Sequence, residues 1–313
     1  MQMGLFDIQG FIAHASWVNC VAFSPVDPTA LATSSSDHTI CIWTLSEDRK
    51  SVALRHKLTG HTWPVSSFAW SNDGLFLVSG SYDNTIRKWN VSTGKCEATI
   101  RTHKWVYALA FSPDDKRIVS SDDNSLEDCS VCVRDVSTSR RILCPSKGHT
   151  DTIQTVAYSP DGRRILSGSL DKTIIVWDST TGEILFGPFA AHSSTVRSIS
   201  FHPSGEAFVT GSNDKTITIW DANTFESITK SLHLHADRVT SVQYSRDGRF
   251  ILSASDDGTL RVWDAKRGRV ASNSVENGCS VRSAAFSPDG RWVASGGKDG
   301  VVRIWEFCEM DSP

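Results

Sequence analysis

Apolar residues recur along the chain in short runs, each closed by a cluster of turn-forming residues. Between Ile153 and Phe189 four such runs follow one another. Ile153 to Tyr158 is broken by Ser159-Pro160-Asp161-Gly162, where the proline presets φ and the glycine accepts a left-handed backbone. Arg164 to Ser169 follows and is turned back by Leu170-Asp171-Lys172. Thr173 to Trp177 is the third run, Thr180-Thr181-Gly182 turns again, and Glu183 to Phe189 is the fourth. Alternating or β-branched runs bounded by turn residues predict strands. This stretch therefore predicts one four-stranded antiparallel unit.

The unit repeats. The residues closing the third runs are Trp43, Trp89, Arg134, Trp177, Trp220, Trp263 and Trp305, in steps of 42 to 46. Six residues before each stands an aspartate: Asp37, Asp83, Asp128, Asp171, Asp214, Asp257 and Asp299. A histidine opens six units, at 14, 61, 103, 149, 192 and 235, and Asn277 takes its place in the seventh. Units of about 14–60, 61–102, 103–148, 149–191, 192–234, 235–276 and 277–305 result.

Gly148-His149, Ser159-Pro160-Asp161-Gly162, Ser167-Gly168-Ser169 and Trp177-Asp178 together resemble the consensus of the WD-repeat family. The resemblance runs from about Phe11 to Trp305 in seven registered copies. In texture the array is most similar to those of fungal NACHT-type receptors, although no NACHT nucleotide-binding region is present. The resemblance implies an all-β, seven-bladed β-propeller of four-stranded antiparallel blades, in which stacked neighbours cover each sheet. Only eight residues follow Trp305, whereas Leu5 to Ala13 precede the first histidine. The N-terminal segment, about 4–13, is therefore expected to supply the outer strand of the last blade.

Within a unit, His149, Ser167, Asp171 and Trp177 form a set that could be misread as a hydrolytic triad. A nucleophilic triad is built once, around one pocket. This set is complete five times, with Thr33, Ser79, Ser167, Thr210 and Ser253 as hydroxyl members. The resemblance implies a buried hydrogen-bonded chain instead, so these residues are read as architecture. The third unit departs, with Arg134 for Trp, a displaced His103 and about four extra residues between Ser120 and Asp128. It is the expected place for local opening.

Composition narrows function further. A net charge of −3 gives no global pull toward nucleic acid or an anionic membrane, and no apolar stretch is long enough to span a bilayer. The N-terminus lacks the pattern of a secretory signal, so an intracellular, cytoplasmic setting with eight free thiols is expected. Cys129-x-x-Cys132 has no second cysteine pair at zinc-ligand spacing, so no metal is expected. No phosphate-binding, zincin or nucleophile-elbow motif is present, and no catalytic residue or cofactor is assigned.

Two loop classes would share one face of a propeller. The residues flanking the first apolar position of each inner strand are Trp17 and Asn19, Trp63 and Ser66, Trp105 and Tyr107, Thr152 and Gln154, Thr195 and Arg197, Arg238 and Thr240, and Ser280 and Arg282. The residues preceding each aspartate are Ser36, Tyr82, Glu127, Leu170, Asn213, Asp256 and Lys298. Aromatics (Trp17, Trp63, Tyr82, Trp105, Tyr107) gather on units one to three, and cations (Arg197, Arg238, Arg282, Lys298) on units five to seven. The extra loop adds Asp122, Asp123 and Glu127. Trp70 and Trp292 lie within strand runs and are read as packing residues.

The first functional reading is a non-catalytic scaffold or adaptor that binds a protein or peptide on this face. The partner's apolar anchor would sit near Trp105 and its acidic groups near Arg238 and Arg282. The chain could serve as a subunit or domain of a larger assembly. The alternative is a recognition module for a small ligand or nucleic acid at the propeller mouth; near-neutral charge argues against nucleic acid. An enzyme has no supporting motif.

Overall fold

The structure is a computed structural model that describes residues 3–121, 131–145, 148–229, 232–272 and 274–309. The seven units form seven antiparallel sheets, each beginning with its inner strand and ending at the rim. In blade 4 the strands are Ile153–Tyr158, Arg164–Ser169, Thr173–Asp178 and Ile184–Ala190, within a residue of the expected bounds. Gly162 sits at φ 71°, and its N–H donates to the Ser159 carbonyl at 2.8 Å, as the turn residues require.

The ring closes as the sequence phase implies. Met3–Ile12 pairs antiparallel with Val301–Glu309, so the N-terminal strand becomes the outer strand of blade 7. Apolar clusters lie between neighbouring blades. Leu5 and Phe307 pack with Leu252 and Val262 of blade 6, while Phe11 and Trp292 pack against Trp43 of blade 1. Trp70 and Trp292 are buried, as packing residues should be. Blades approach closely where the second strand carries a glycine. A Cβ on Gly168 would lie 2.6 Å from Val196 Cγ1 of blade 5, and one on Gly296 would lie 2.5 Å from Val18 Cγ1 across the closure.

Five networks form as expected. In blade 4, Trp177 Nε1 donates to Ser167 Oγ at 2.8 Å, Ser167 Oγ meets His149 Nε2 at 2.8 Å, and His149 Nδ1 meets Asp171 Oδ2 at 2.9 Å. A carboxylate can only accept, so Nδ1 carries the proton and the serine hydroxyl donates to Nε2. The sets around His14, His61, His192 and His235 repeat this arrangement. A fifth member was overlooked in the sequence: Thr39, Thr85, Thr173, Thr216 and Thr259, two residues after each aspartate, donate to its other oxygen.

Blades 3 and 7 solve the problem differently. In blade 7, Trp305 donates to Ser295 at 2.9 Å, Ser295 donates to Asn277 Oδ1 at 2.6 Å, and Asp299 turns to Arg303 at 2.8 Å. In blade 3, buried Arg134 takes the indole's place and donates from Nη1 to Ser120 Oγ at 2.7 Å. Asp122, Asp123, Glu127, Asp128 and Cys129 lie outside the described residues. The expectation of eight free thiols is corrected in the same blade. Cys132 and Cys144 form a disulfide, because the antiparallel pairing of Cys132–Asp135 with Arg141–Leu143 brings their Cα atoms within 4.5 Å.

Candidate functional site

The residue after the first apolar position of each inner strand points toward the ring axis. All seven of these residues (Asn19, Ser66, Tyr107, Gln154, Arg197, Thr240 and Arg282) line one cavity of about 120 Å³ at the channel mouth, with Tyr82 and Asp256 beside them. Three act as staples between blades. Asn19 Nδ2 donates to the Val65 carbonyl at 2.9 Å, Ser66 Oγ to the Val106 carbonyl, and Thr240 Oγ1 to the Val281 carbonyl at 2.8 Å. Arg197 bridges to blade 4 through Gln154 Oε1 at 2.7 Å, while its Nε donates to Asn213 Oδ1 at 2.9 Å.

The aromatic candidates divide into two groups. Tyr82 and Trp105 stack with centroids 5.0 Å apart, and Tyr107 lies 5.3 Å from Tyr82 and 6.2 Å from Trp105. Trp17 joins the opposite arc, because ring closure sets blade 1 beside blade 7. The Arg282 guanidinium lies 5.6 Å from its ring and the Lys298 ammonium 5.4 Å. Trp63, 56% exposed, makes no ring contact among the described residues. Trp17 and Trp105 are each 46% exposed although they sit within these clusters, which leaves apolar surface facing solvent.

The cations differ in how far they are neutralised. Lys298 Nζ lies 3.2 Å from Asp256, which also accepts from Ser280 Oγ. Burial opposes ionisation of Asp256, but these bonds and the nearby cations hold its carboxyl below the usual range. Arg238 is exposed, and neither it nor Arg282 or Arg197 has a carboxylate partner among the described residues. Burial, then the fields of Arg282 and Arg238, lower the Arg197 pKa; Asp256 opposes them. Burial raises the Tyr82 and Tyr107 phenols, which therefore stay protonated and able to donate.

Beside Trp105 opens a second cavity, of about 300 Å³, lined by Asn84, His103, Lys104, Tyr107, Thr152 and Ile153 among others. In the sequence His103 stands as the displaced histidine of an interrupted network. Its place one residue nearer the strand was the signal that it would leave the interior, and it is exposed. Among the described residues no group of His, Cys, Asp and Glu could hold a metal. No helix among them is long and apolar enough to cross a membrane.

The mouth can thus grip an apolar group at one side and anionic groups at the other. Among known proteins, the chain is similar to MST50-interacting protein 11 of Pyricularia oryzae, at 31% identity covering 52% of this chain and 65% of the relative. The small ribosomal subunit protein RACK1 of Neurospora crassa is 30% identical, and the cross-pathway control WD-repeat protein 2 of Flammulina velutipes 29%, with the same coverage. The chain thus spans slightly less than two-thirds of these relatives. The family model described as WD domain, G-beta repeat matches residues 7–44, 53–90, 94–135, 140–178, 184–221, 226–264 and 272–306. With a match in every blade, the chain belongs to the WD-repeat family.

Proposed function

We propose that this chain is a non-catalytic scaffold that binds a partner protein or peptide on the face around its channel. One observation carries the reading. The Tyr82–Trp105–Tyr107 cluster borders a 300 Å³ cavity on one side, and arginines without carboxylate partners among the described residues stand on the other. An apolar anchor enters beside Trp105, and acidic groups of the partner meet Arg238 and Arg282. Trp17, Trp63, Arg197 and Lys298 complete the contact face. The relatives named for an interaction with MST50 and for the small ribosomal subunit support such a role, and small-subunit ribosomal proteins and MST50-like proteins are the first partners to examine. The finer likeness of texture to fungal NACHT-receptor arrays would make the chain the recognition part of a larger assembly, but the relatives named above are RACK1-like WD proteins rather than NACHT-type receptors.

The test is a paired capture from cytoplasmic lysate with wild type and the double variant Trp105→Ala, Arg238→Glu, after both are shown to melt alike. Proteins retained only by wild type are the expected result. Identical captures would remove the face from the interaction. The second reading, a receptor for a small ligand, rests on the 120 Å³ cavity at the mouth. It takes precedence if neither form captures protein.

A further inference from the structure

Among the described residues, positive charge at the channel mouth exceeds what the acids there neutralise. Asp256 is the acid lining that cavity, and it is already committed to Lys298 and Ser280. Arg197 and Arg282 line the same cavity, and neither forms an ion pair among the described residues, although the Asp256 charge acts on both. Neither is a loose surface side chain. Two neutral amides, Asn213 and Gln154, hold the Arg197 guanidinium through Nε and Nη1, which leaves Nη2 free of these bonds. Arg282 lies over Trp17 and makes no hydrogen bond among the described residues. Neutral acceptors orient a guanidinium without cancelling its charge, so the fold sustains the repulsion between these two cations. The phenols of Tyr82 and Tyr107 border the same space, and Arg197 acts on both, so four donor side chains surround one small volume.

We infer that the channel mouth is a binding site for a phosphomonoester dianion, held by the guanidiniums of Arg197 and Arg282 and the hydroxyls of Tyr82 and Tyr107. A carboxylate would cancel one of the two charges and offer two oxygens. A phosphomonoester carries close to two negative charges at neutral pH and three terminal oxygens, and arginine forks match its geometry. The cavity of about 120 Å³ admits the phosphoryl group while the remainder of the ligand stays above the mouth. A phosphorylated side chain of a partner would be led outward past Trp105 or Arg238; free phosphate would occupy the same donors alone. This inference rests on the reading of the channel face as the binding face and names the chemistry at its centre.

The experiment is calorimetric titration at low ionic strength with three probes: inorganic phosphate, acetate, and the blocked peptide acetyl-Gly-phosphoSer-Gly-amide. Phosphate should bind at least about tenfold more tightly than acetate, and Arg197→Gln with Arg282→Gln should weaken phosphate by about tenfold or more. Arg267→Gln should leave phosphate affinity unchanged, since Arg267 is exposed on the far rim and paired with Asp264. If the double variant does not fold, Arg282→Gln alone carries the test, because that side chain supports no hydrogen bond of the fold. Tighter binding of the peptide than of phosphate assigns the site to a partner's phosphorylated side chain; equal affinity assigns it to the free anion. Acetate binding as well as phosphate, or a folded double variant that keeps phosphate affinity, overturns the inference. Trp105→Ala separates the two proposals. Partner capture that needs Trp105 but is untouched by the arginine variants leaves the scaffold reading standing without the phosphate site. Phosphate binding with no Trp105-dependent partner does the reverse.

Discussion

Blades 3 and 4 stand side by side and are fastened in different ways. Blade 4 has strands of six, six, six and seven residues, tied by Trp177, Ser167, His149, Asp171 and Thr173. Blade 3 has strands of three, four, four and three, namely Leu109–Phe111, Arg117–Ser120, Cys132–Asp135 and Arg141–Leu143. It is held by Arg134 on Ser120 and by the Cys132–Cys144 disulfide. The buried hydroxyl therefore requires a donor, and a guanidinium serves where the indole is missing. His103 is exposed, and with Trp105 it borders the 300 Å³ cavity. The candidate anchor pocket beside Trp105 lies where the repeated architecture lapses, as expected when binding surface is taken at the expense of local regularity.

The largest effect should come from breaking the closure on which every blade depends. Deleting residues 1–12 removes the outer strand of blade 7 and, with Leu5 and Phe11, contacts in two interblade clusters. Both classes of blade should then fail together, seen as loss of cooperative melting or a fall of more than about 10 °C. Unchanged melting would mean that ring closure does not couple the blades, and the comparison would then be one between independent units.

Next in size is the contrast between equivalent histidines. His149→Ala removes a buried ring that links Ser167 to Asp171, and should cost about 2–4 kcal/mol through lost packing and unsatisfied partners. His103→Ala, on an exposed ring, should stay within about 0.5 kcal/mol. Chemical denaturation of the two variants measures both. Equal costs would show that the blade 3 histidine is tied into the fold after all.

Much of this was legible in the sequence because a seven-fold repeat averages out local ambiguity. One aspartate six residues before one tryptophan says little; six in register, with Arg134 in the remaining unit, identify strand order, turn type and network members. The N-terminal closing strand was legible from phase alone. The channel-facing positions were legible because alternation along the inner strand assigns each side chain a direction. What repetition could not reveal lies where copies differ or meet. Trp17 and Arg282 are far apart in sequence and become neighbours only through ring closure. Asp256 appeared among the face residues, but its neutralising of Lys298 needed the geometry of two adjacent blades. Cys132 and Cys144 lie in the one blade whose shortened strands no other copy duplicates.

The smallest effect concerns acid. Burial resists ionisation of Asp37, Asp171, Asp214 and Asp257, yet the hydrogen bonds from histidine, threonine and backbone N–H outweigh it and hold all four carboxyls low, Asp257 at about 2. Burial also holds the His61 and His235 imidazoles below their ordinary value, against the pull of Asp83 and Asp257. Both shifts have the same consequence. As pH falls below about 6.5 His61 and His235 take up protons in the unfolded chain before they do in the folded one, and below about 4 the network aspartates do the same. The unfolded state then binds more protons, and stability is lost on acidification. Within the His–Asp networks the loss falls on five blades, whereas in blade 3 the carboxyls held low are those of Asp114 and Asp135, bound by their own turns near the surface. In blade 3, His103 is exposed and no His–Asp pair occurs among the described residues. Hydrogen exchange, corrected for intrinsic rates, should therefore show Leu109–Phe111 less protected than Ile153–Tyr158 at pH 7, with the gap narrowing toward pH 4. A gap that is constant across this range would mean that the networks position the strands without setting how readily each blade opens.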